Sequence, residues 1–199
     1  LGAYLEDKLG LNVVYTRTTD KLIELQERGR IANEAGGKLF ISIHANAASS
    51  PYAKGTETFF LGMHKTEAAK RVMERENKVV KLEENPEQYE ELDEEALVRY
   101  ALTQSMNMQQ SEHFAALIEK QFENRVHRKS RGVKQAGFRV LWGASMPAVL
   151  VELGFLTNTS DARFLSSEKG QVYMASALFR AVRDYKKDYE KGMNLVRSE

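Results

Sequence analysis

Two residues combine reactive chemistry with a telling position. The short apolar run Leu39-Phe40-Ile41-Ser42-Ile43 ends in His44, followed by Ala45 and Asn46. A second run, Ala148-Val149-Leu150-Val151, ends in Glu152, followed by Leu153, Gly154 and Phe155. An imidazole can ligate a divalent metal, and a carboxylate can ligate one or serve as a general base. Delivered to a common rim, the pair could activate water for hydrolysis. Each also has a plainer reading, His44 as a hydrogen-bonded core histidine and Glu152 as a helix-capping or ion-paired acid. Position alone leaves both open.

The elements that must carry these residues follow from pattern. The chain opens on Leu1-Gly2-Ala3-Tyr4-Leu5, which reads as an amphipathic helix already under way and stopping at Gly10. Residues 11–16 are rich in β-branched types and read as a strand. Asp20 is placed to cap a helix that runs through Leu22, Leu25 and Ile31 to Gly36-Gly37. Residues 39–43 and 148–151 read as buried strands, the former as a central one covered on both faces, and 55–61 and 137–141 as further strands. Helices are expected over 69–80, 94–108 and 111–126. A last helix follows Ser167, with Val172, Ala175, Leu178, Val182 and Tyr185 inward. Strands alternating with helices predict an α/β fold, a mostly parallel twisted sheet with helices on both faces. In such sheets reactive groups gather at the carboxyl ends of strands, where His44 and Glu152 fall.

Composition narrows the function classes. The 199 residues carry a formal net charge of +1, so no basic excess points to nucleic acid. No run is long and apolar enough to suggest a membrane span. There is no cysteine, which excludes disulfides, thiol nucleophiles and cysteine-ligated zinc.

Longer motifs carry a resemblance. Ser42-Ile43-His44-Ala45-Asn46, the segment from Met146 through Glu152-Leu153-Gly154-Phe155 to Asn158, Tyr15-Thr16-Arg17-Thr18-Thr19-Asp20, Gly55-Thr56-Glu57-Thr58 and Arg131-Gly132-Val133-Lys134 occur in the order found in zinc-dependent N-acetylmuramoyl-L-alanine amidases of the type 3 family. The resemblance covers nearly the whole chain outside one acidic stretch. It implies a peptidoglycan hydrolase of the periplasm or cell envelope. Its zinc would be held by two histidines and a glutamate, with a further glutamate as general base. His44 matches the second histidine ligand and Glu152 the catalytic glutamate. Asn46 is expected to contact substrate or orient His44, and Arg17 to be structural. The family's first histidine turn, glutamate ligand and first strand would precede Leu1. The chain is therefore expected to be an N-terminally shortened domain, with zinc occupancy in doubt and an exposed sheet edge. His64, His113 and His127 carry no motif and are expected to be surface or helix-end residues.

Between the strand at 55–61 and the helix at 111–126 lies the unabsorbed stretch, about 69–108. Its residues 82–98 hold eight acids and no lysine or arginine. A solvated surface loop is the plain reading. Glu76-Asn77 and Gln109-Gln110-Ser111 resemble the insert of the family's cell-division branch. There a helix covers the site until an activator with a LytM-type domain displaces it. By that analogy an acid such as Glu83 or Glu84 would occupy the open metal position. Two rival readings stand: a non-catalytic peptidoglycan-binding or regulatory module of the same fold, and a zinc carboxypeptidase acting on the stem peptide.

Overall fold

The computed structural model describes residues 1–89 and 92–197. Four strands form its sheet: β1 (Phe40–Asn46), β2 (Thr56–Leu61), β3 (Ser130–Ala136) and β4 (Ala148–Phe155), in the spatial order β1-β4-β2-β3. The β1–β4 and β2–β3 pairs are parallel and the β2–β4 pair is antiparallel. Helices α1 (Gly2–Leu9), α2 (Leu25–Glu34), α3 (Glu67–Asn77), α4 (Glu94–Thr103), α5 (Ser105–Gln121), α6 (Arg139–Trp142), α7 (Thr159–Ser166) and α8 (Glu168–Arg197) surround it.

Alternation along the strands sorts side chains onto two faces. On one, Phe59, Leu61 and Leu150 pack with Phe138 and Leu141 near α6, and Val72 of α3 joins them. On the other, Val149 and Val151 meet Phe114, Ile118 and Phe122 of α5 and its continuation, and Leu178 and Ala181 of α8. Each fully buried large apolar side chain contributes about 1.5–3 kcal/mol, so two such clusters fix the sheet between its helical layers. The second face also holds a polar knot. Buried Glu119 of α5 accepts hydrogen bonds from Thr56 Oγ1 at 2.9 Å, Thr58 Oγ1 at 2.6 Å and Ser130 Oγ at 2.6 Å, tying α5 to β2 and β3.

Several elements differ from the sequence expectations. Residues 11–16 form no strand and lie outside the sheet, because strand propensity needs a partner ladder and Leu11 and Val13 instead pack on the second core. The helix after Asp20 begins only at Leu25 with Glu24 at its N-cap, and Leu22 is left exposed. The central strand is β4, while β1 is an edge, with Ile43 46% exposed and a groove of about 1260 Å³ beside it. Residues 137–141 do not form a strand; the strand is 130–136, and Arg139–Trp142 turn into α6. An apolar run this short cannot distinguish a strand from a buried helical turn. The expected helix at 111 is already under way from Ser105, as α5. Gly10 ends α1 in the left-handed conformation as expected, φ 61°, and Ser167 Oγ accepts from Gly170 N at 3.0 Å where α8 begins. The inward face of α8 holds Leu178, Val182 and Tyr185 as expected, joined by Met174, Ala177 and Ala181, while Val172 is exposed.

A buried carboxylate locks the end of β4 to its neighbours. Asp161, fully buried on α7, accepts from Gly55 N at 2.8 Å and Phe155 N at 3.0 Å and pairs with Arg128. Gly55 is required there: its φ is +102°, and an added Cβ would lie 2.1 Å from the Lys129 carbonyl oxygen. Asp161→Ala would strand two backbone donors and a mostly buried guanidinium. Chemical denaturation should show a loss of about 3 kcal/mol or more; an unchanged midpoint would show that the lock carries no weight.

Candidate active site

Register brings the predicted pair together. His44 on β1 is the direct partner of Glu152 on β4, and Glu152 is in turn the direct partner of Glu57 on β2. Paired residues project to the same face, so His44, Glu152 and Glu57 form a row across three strands. Period-two alternation adds Ser42 and Asn46 to that face. This is the face that α3 covers, and α3 supplies two more groups, Arg75 and Glu76.

Ligand atoms of His44, Glu76 and Glu152 all lie within 4.8 Å of one another. His44 Nδ1 faces Glu76 Oε2 at 2.8 Å, and Ser42 Oγ lies 3.0 Å from its Nε2. The imidazole is therefore held from behind with its other nitrogen turned to the carboxylates, the arrangement by which second-sphere contacts orient a ligating histidine. Glu152 is completely buried, and neither carboxylate oxygen has a hydrogen-bond partner among the described residues. Among the described residues its one near cation is Arg75, with Nη2 3.7 Å from Oε1. Burial first, then the charges of Glu76 and Glu57, push the Glu152 carboxyl up to about 8 against the partial offset of Arg75. Burial acts upward on Glu76 too, but hydrogen bonding and charge from His44, with Arg75, outweigh it and hold that carboxyl below its usual range.

Asn46 is the hub beneath this cluster. Its Nδ2 donates to Glu57 Oε1 at 2.6 Å, while its Oδ1 accepts from Ala47 N at 2.8 Å and Arg75 Nη2 at 2.7 Å. Arg75 Nη1 also donates to the Ala47 carbonyl at 2.6 Å, and its Nε lies 3.2 Å from Glu76 Oε1. Fully satisfied and fully buried, Asn46 orients Arg75 and Glu57; it does not hydrogen-bond to His44. Beyond it, Glu57 Oε2 meets Arg131 Nε at 3.0 Å and pairs with Lys134 of β3.

The other expected residues lie elsewhere. Glu83 accepts from Leu25 N at 2.9 Å and from the Tyr89 hydroxyl, so it caps the start of α2. Glu84 is exposed, its backbone N donating to Glu24 Oε1 at 3.2 Å. Neither belongs to the cluster; the acid that the 69–108 stretch brings there is Glu76. Arg17 is exposed and donates to the Lys21 carbonyl at 3.2 Å, a local turn contact. His64 is exposed, His113 faces Asp188 at 3.0 Å, and His127 takes a left-handed conformation past α5. Sequence reasoning missed Glu57, Arg75 and Glu76 as site residues. The signal for Glu57 was available: it is the lone acid in a strand otherwise free of charge. Arg75 and Glu76 are adjacent on a helix and nothing in their spacing points at a strand end.

A buried carboxylate with both oxygens unpartnered, beside an imidazole and a second carboxylate, is the donor set that a divalent cation satisfies. The structure therefore fits a metal here. The raised Glu152 carboxyl also sets a sign for stability. The folded chain holds this proton from the ordinary 4.5 up to about 8, so stability is lost as pH climbs through that window. In chelator-treated protein, Glu152→Gln should remove the loss and stabilise the fold at pH 8 by roughly 3 kcal/mol, with little change near pH 4.5. Melting curves of the two proteins across that range would show it; parallel curves would rule it out.

Comparison with known proteins finds a family model, similar chains and similar solved structures. A family model for N-acetylmuramoyl-L-alanine amidase matches residues 1–184. The amidase AmiA of Escherichia coli strain K12 is 32% identical over 182 residues, spanning 88% of this chain and 61% of that protein. The Bacillus subtilis protein YqiI is 30% identical over 185 residues, spanning 92% and 69%. Among solved structures, the amidase AmiC2 of Nostoc punctiforme superposes with a TM-score of 0.64 at 26% identity, over 93% of this chain and 77% of that one. An N-acetylmuramoyl-L-alanine amidase from Clostridium difficile 630 gives 0.66 at 24%, again over 93% and 77%. This chain thus spans about three fifths of the length of the AmiA relative.

Proposed function

The chain belongs to the N-acetylmuramoyl-L-alanine amidase family, and on that premise we propose that it is the catalytic part of a peptidoglycan hydrolase of the cell envelope. The bond cut joins the lactyl carbonyl of N-acetylmuramic acid to the stem peptide's first L-alanine. The observation that carries the reading is Glu152: buried, without a hydrogen-bond partner and in register with His44. A structural acid in that position would have been given donors.

His44 is the ligand that β1 contributes to zinc, with Ser42 fixing its ring. When bound, zinc supplies a Lewis acid that polarises the scissile carbonyl and acidifies water. Glu152 takes one proton from the attacking water at a carboxylate oxygen. As the carbon–nitrogen bond breaks, it passes that proton to the alanine nitrogen, leaving a free amine and a lactyl carboxylic acid, which gives its remaining proton to solvent. Burial raises this carboxyl in the metal-free fold, and a bound cation would draw it back toward ionisation, which suits a group that must both take and release the proton. A non-catalytic module has no use for such a group, which favours the enzyme over the binding-module alternative.

Helix α3 and the segment after it are an insert that closes the site. Glu76 sits on His44 Nδ1 at 2.8 Å, where the incoming carbonyl must approach, and Arg75 pins the same helix to Asn46 and Ala47. This role falls to Glu76 in place of Glu83 or Glu84. Release belongs to a partner, for which the resemblance names a LytM-type domain.

On the full-length protein, Glu152→Gln should lower muropeptide hydrolysis by roughly 10²–10⁴-fold with zinc retained, whereas His44→Ala should lose the zinc. Hydrolysis that survives Glu152→Gln would remove it as the base, and release at the peptide's carboxyl terminus would favour a carboxypeptidase. Glu76→Ala should raise basal hydrolysis several-fold with zinc content unchanged. Zinc lost together with activity would make Glu76 a working ligand and not a plug.

A further inference from the structure

The cations beside Glu57 are not explained by hydrolysis alone. Along β3, Thr56 pairs with Ser130 but Thr58 pairs with Val133, so one extra residue is bulged out between them. Gly132 makes this possible, with φ at +83°. In an unbroken strand Arg131 and Lys134, three apart, would face opposite sides. The bulge turns both onto the face that carries His44, Glu152 and Glu57. Ser130 and Val133 accordingly point the other way, Ser130 to Glu119 and Val133 into the second core.

Two cations then share one carboxylate. Lys134 Nζ pairs with Glu57 and lies over the Phe59 ring. Arg131 reaches the same Oε2 through Nε alone, and its two terminal nitrogens make no hydrogen bond to any described residue. The guanidinium lies 5.1 Å from the centroid of Phe155, a residue of β4 three positions beyond Glu152 and the register partner of Asn46. Its side chain is 28% exposed. A fork with Nε anchored, its plane supported by a ring and both outer N–H groups open is preorganised for a bidentate carboxylate.

We propose that Arg131 is a specificity-determining residue that binds a substrate carboxylate on the residue following the L-alanine. The proposal rests on the amidase reading. An unamidated, γ-linked glutamate after alanine presents a free α-carboxylate a short way beyond the scissile amide, roughly one to two residue lengths at about 3.5 Å each. β3 lies two strands from β4, roughly 10 Å, and Arg131 leans back toward β4, its guanidinium over Phe155, so its fork faces the site from the side on which such a carboxylate would extend. Lys134 remains with Glu57, so the surplus charge is Arg131's. Amidation of the carboxylate would remove the matching anion and weaken binding.

Isothermal titration of the full-length protein tests this without relying on turnover. The probes are N-acetyl-L-alanyl-D-glutamate with its γ-carboxyl capped as a methylamide, and the same compound with its α-carboxylate amidated. Wild type should bind the carboxylate about tenfold more tightly than the amide. Arg131→Gln should abolish that preference in protein that circular dichroism shows to be folded at the titration temperature, its melting point lowered by the loss of the Glu57 ion pair, and Arg131→Lys should retain part of the preference. Equal affinity of wild type for both probes, no binding of either, or a preference that survives Arg131→Gln would overturn the proposal. Parallel hydrolysis of muropeptides separates the two readings. Discrimination between probes without any cleavage, even by Glu76→Ala, would leave Arg131 as a carboxylate site while removing the amidase assignment; cleavage without discrimination does the reverse.

Discussion

The structure turns on a carboxylate that the fold has left unsatisfied. Burying an ionised acid costs several kcal/mol unless donors or a counter-charge replace the lost water. Glu152 has no donor among the described residues, and its nearest cation, Arg75, stands 3.7 Å away. It sits mid-sheet, between His44 on one strand and Glu57 on another, so no side-chain rotation can carry it to solvent. The two apolar cores that sandwich β4 hold it there. The packing of Val149, Leu150 and Val151 thus opposes a local cost, and the site exists because that packing prevails.

Other buried acids in and around this sheet make the contrast. Glu119 accepts three hydroxyl bonds, Asp161 two backbone bonds and an arginine, and Glu57 an amide and two cations. Each of these stitches elements together, and their partners account for their oxygens. Among the described residues, the same chain, under the same pressure to satisfy buried polar groups, supplies donors to each of these carboxylates, as it does to Glu83, and withholds them from Glu152. That selective omission separates a reactive position from a structural one more sharply than burial alone.

How far the sequence revealed this depended on the range of the interaction. His44 and Glu152 were legible because each ends an apolar run and local pattern governs strand placement. The alternation of Ser42, His44 and Asn46 already put them on one face. Sheet order was not legible: the nearly continuous apolar run at 39–43 suggested a centre, yet β1 is an edge, since apolarity reports burial and not neighbours. Residues 11–16 had the composition of a strand and lacked only a partner. Glu83 and Glu84 stood out through charge density, but charge density marks solvent exposure or capping, and Glu83 was drawn to the start of α2. Glu76 reached the site because α3 crosses β1's end, a tertiary contact between residues some thirty positions apart that no local period encodes.

Taken across the sheet, the charges are ordered. At the β1 end stand an imidazole and two carboxylates, His44, Glu76 and Glu152; at the β3 end stand Arg131 and Lys134, with Glu57 and Asn46 between. If the three carboxylates were all ionised, Arg75, Arg131 and Lys134 would match them in number, so no net charge demands a metal. Distribution does. The cations lie toward β3 and α3, leaving the His44–Glu152 end negative and the opposite end positive, a gradient that favours a cation at one pole and an anion at the other. A peptide lying across it would meet the first pole with its carbonyl and the second with its carboxylate. Arg75 stands where the two poles meet: it touches Glu76, Glu152 and Asn46 from a helix that is not part of the sheet. Lifting α3 would withdraw Arg75 and Glu76 together, removing one cation and one anion at once. The gradient along the strands would survive the opening, because the residues that set it, His44, Glu152, Glu57 and Arg131, all belong to the sheet.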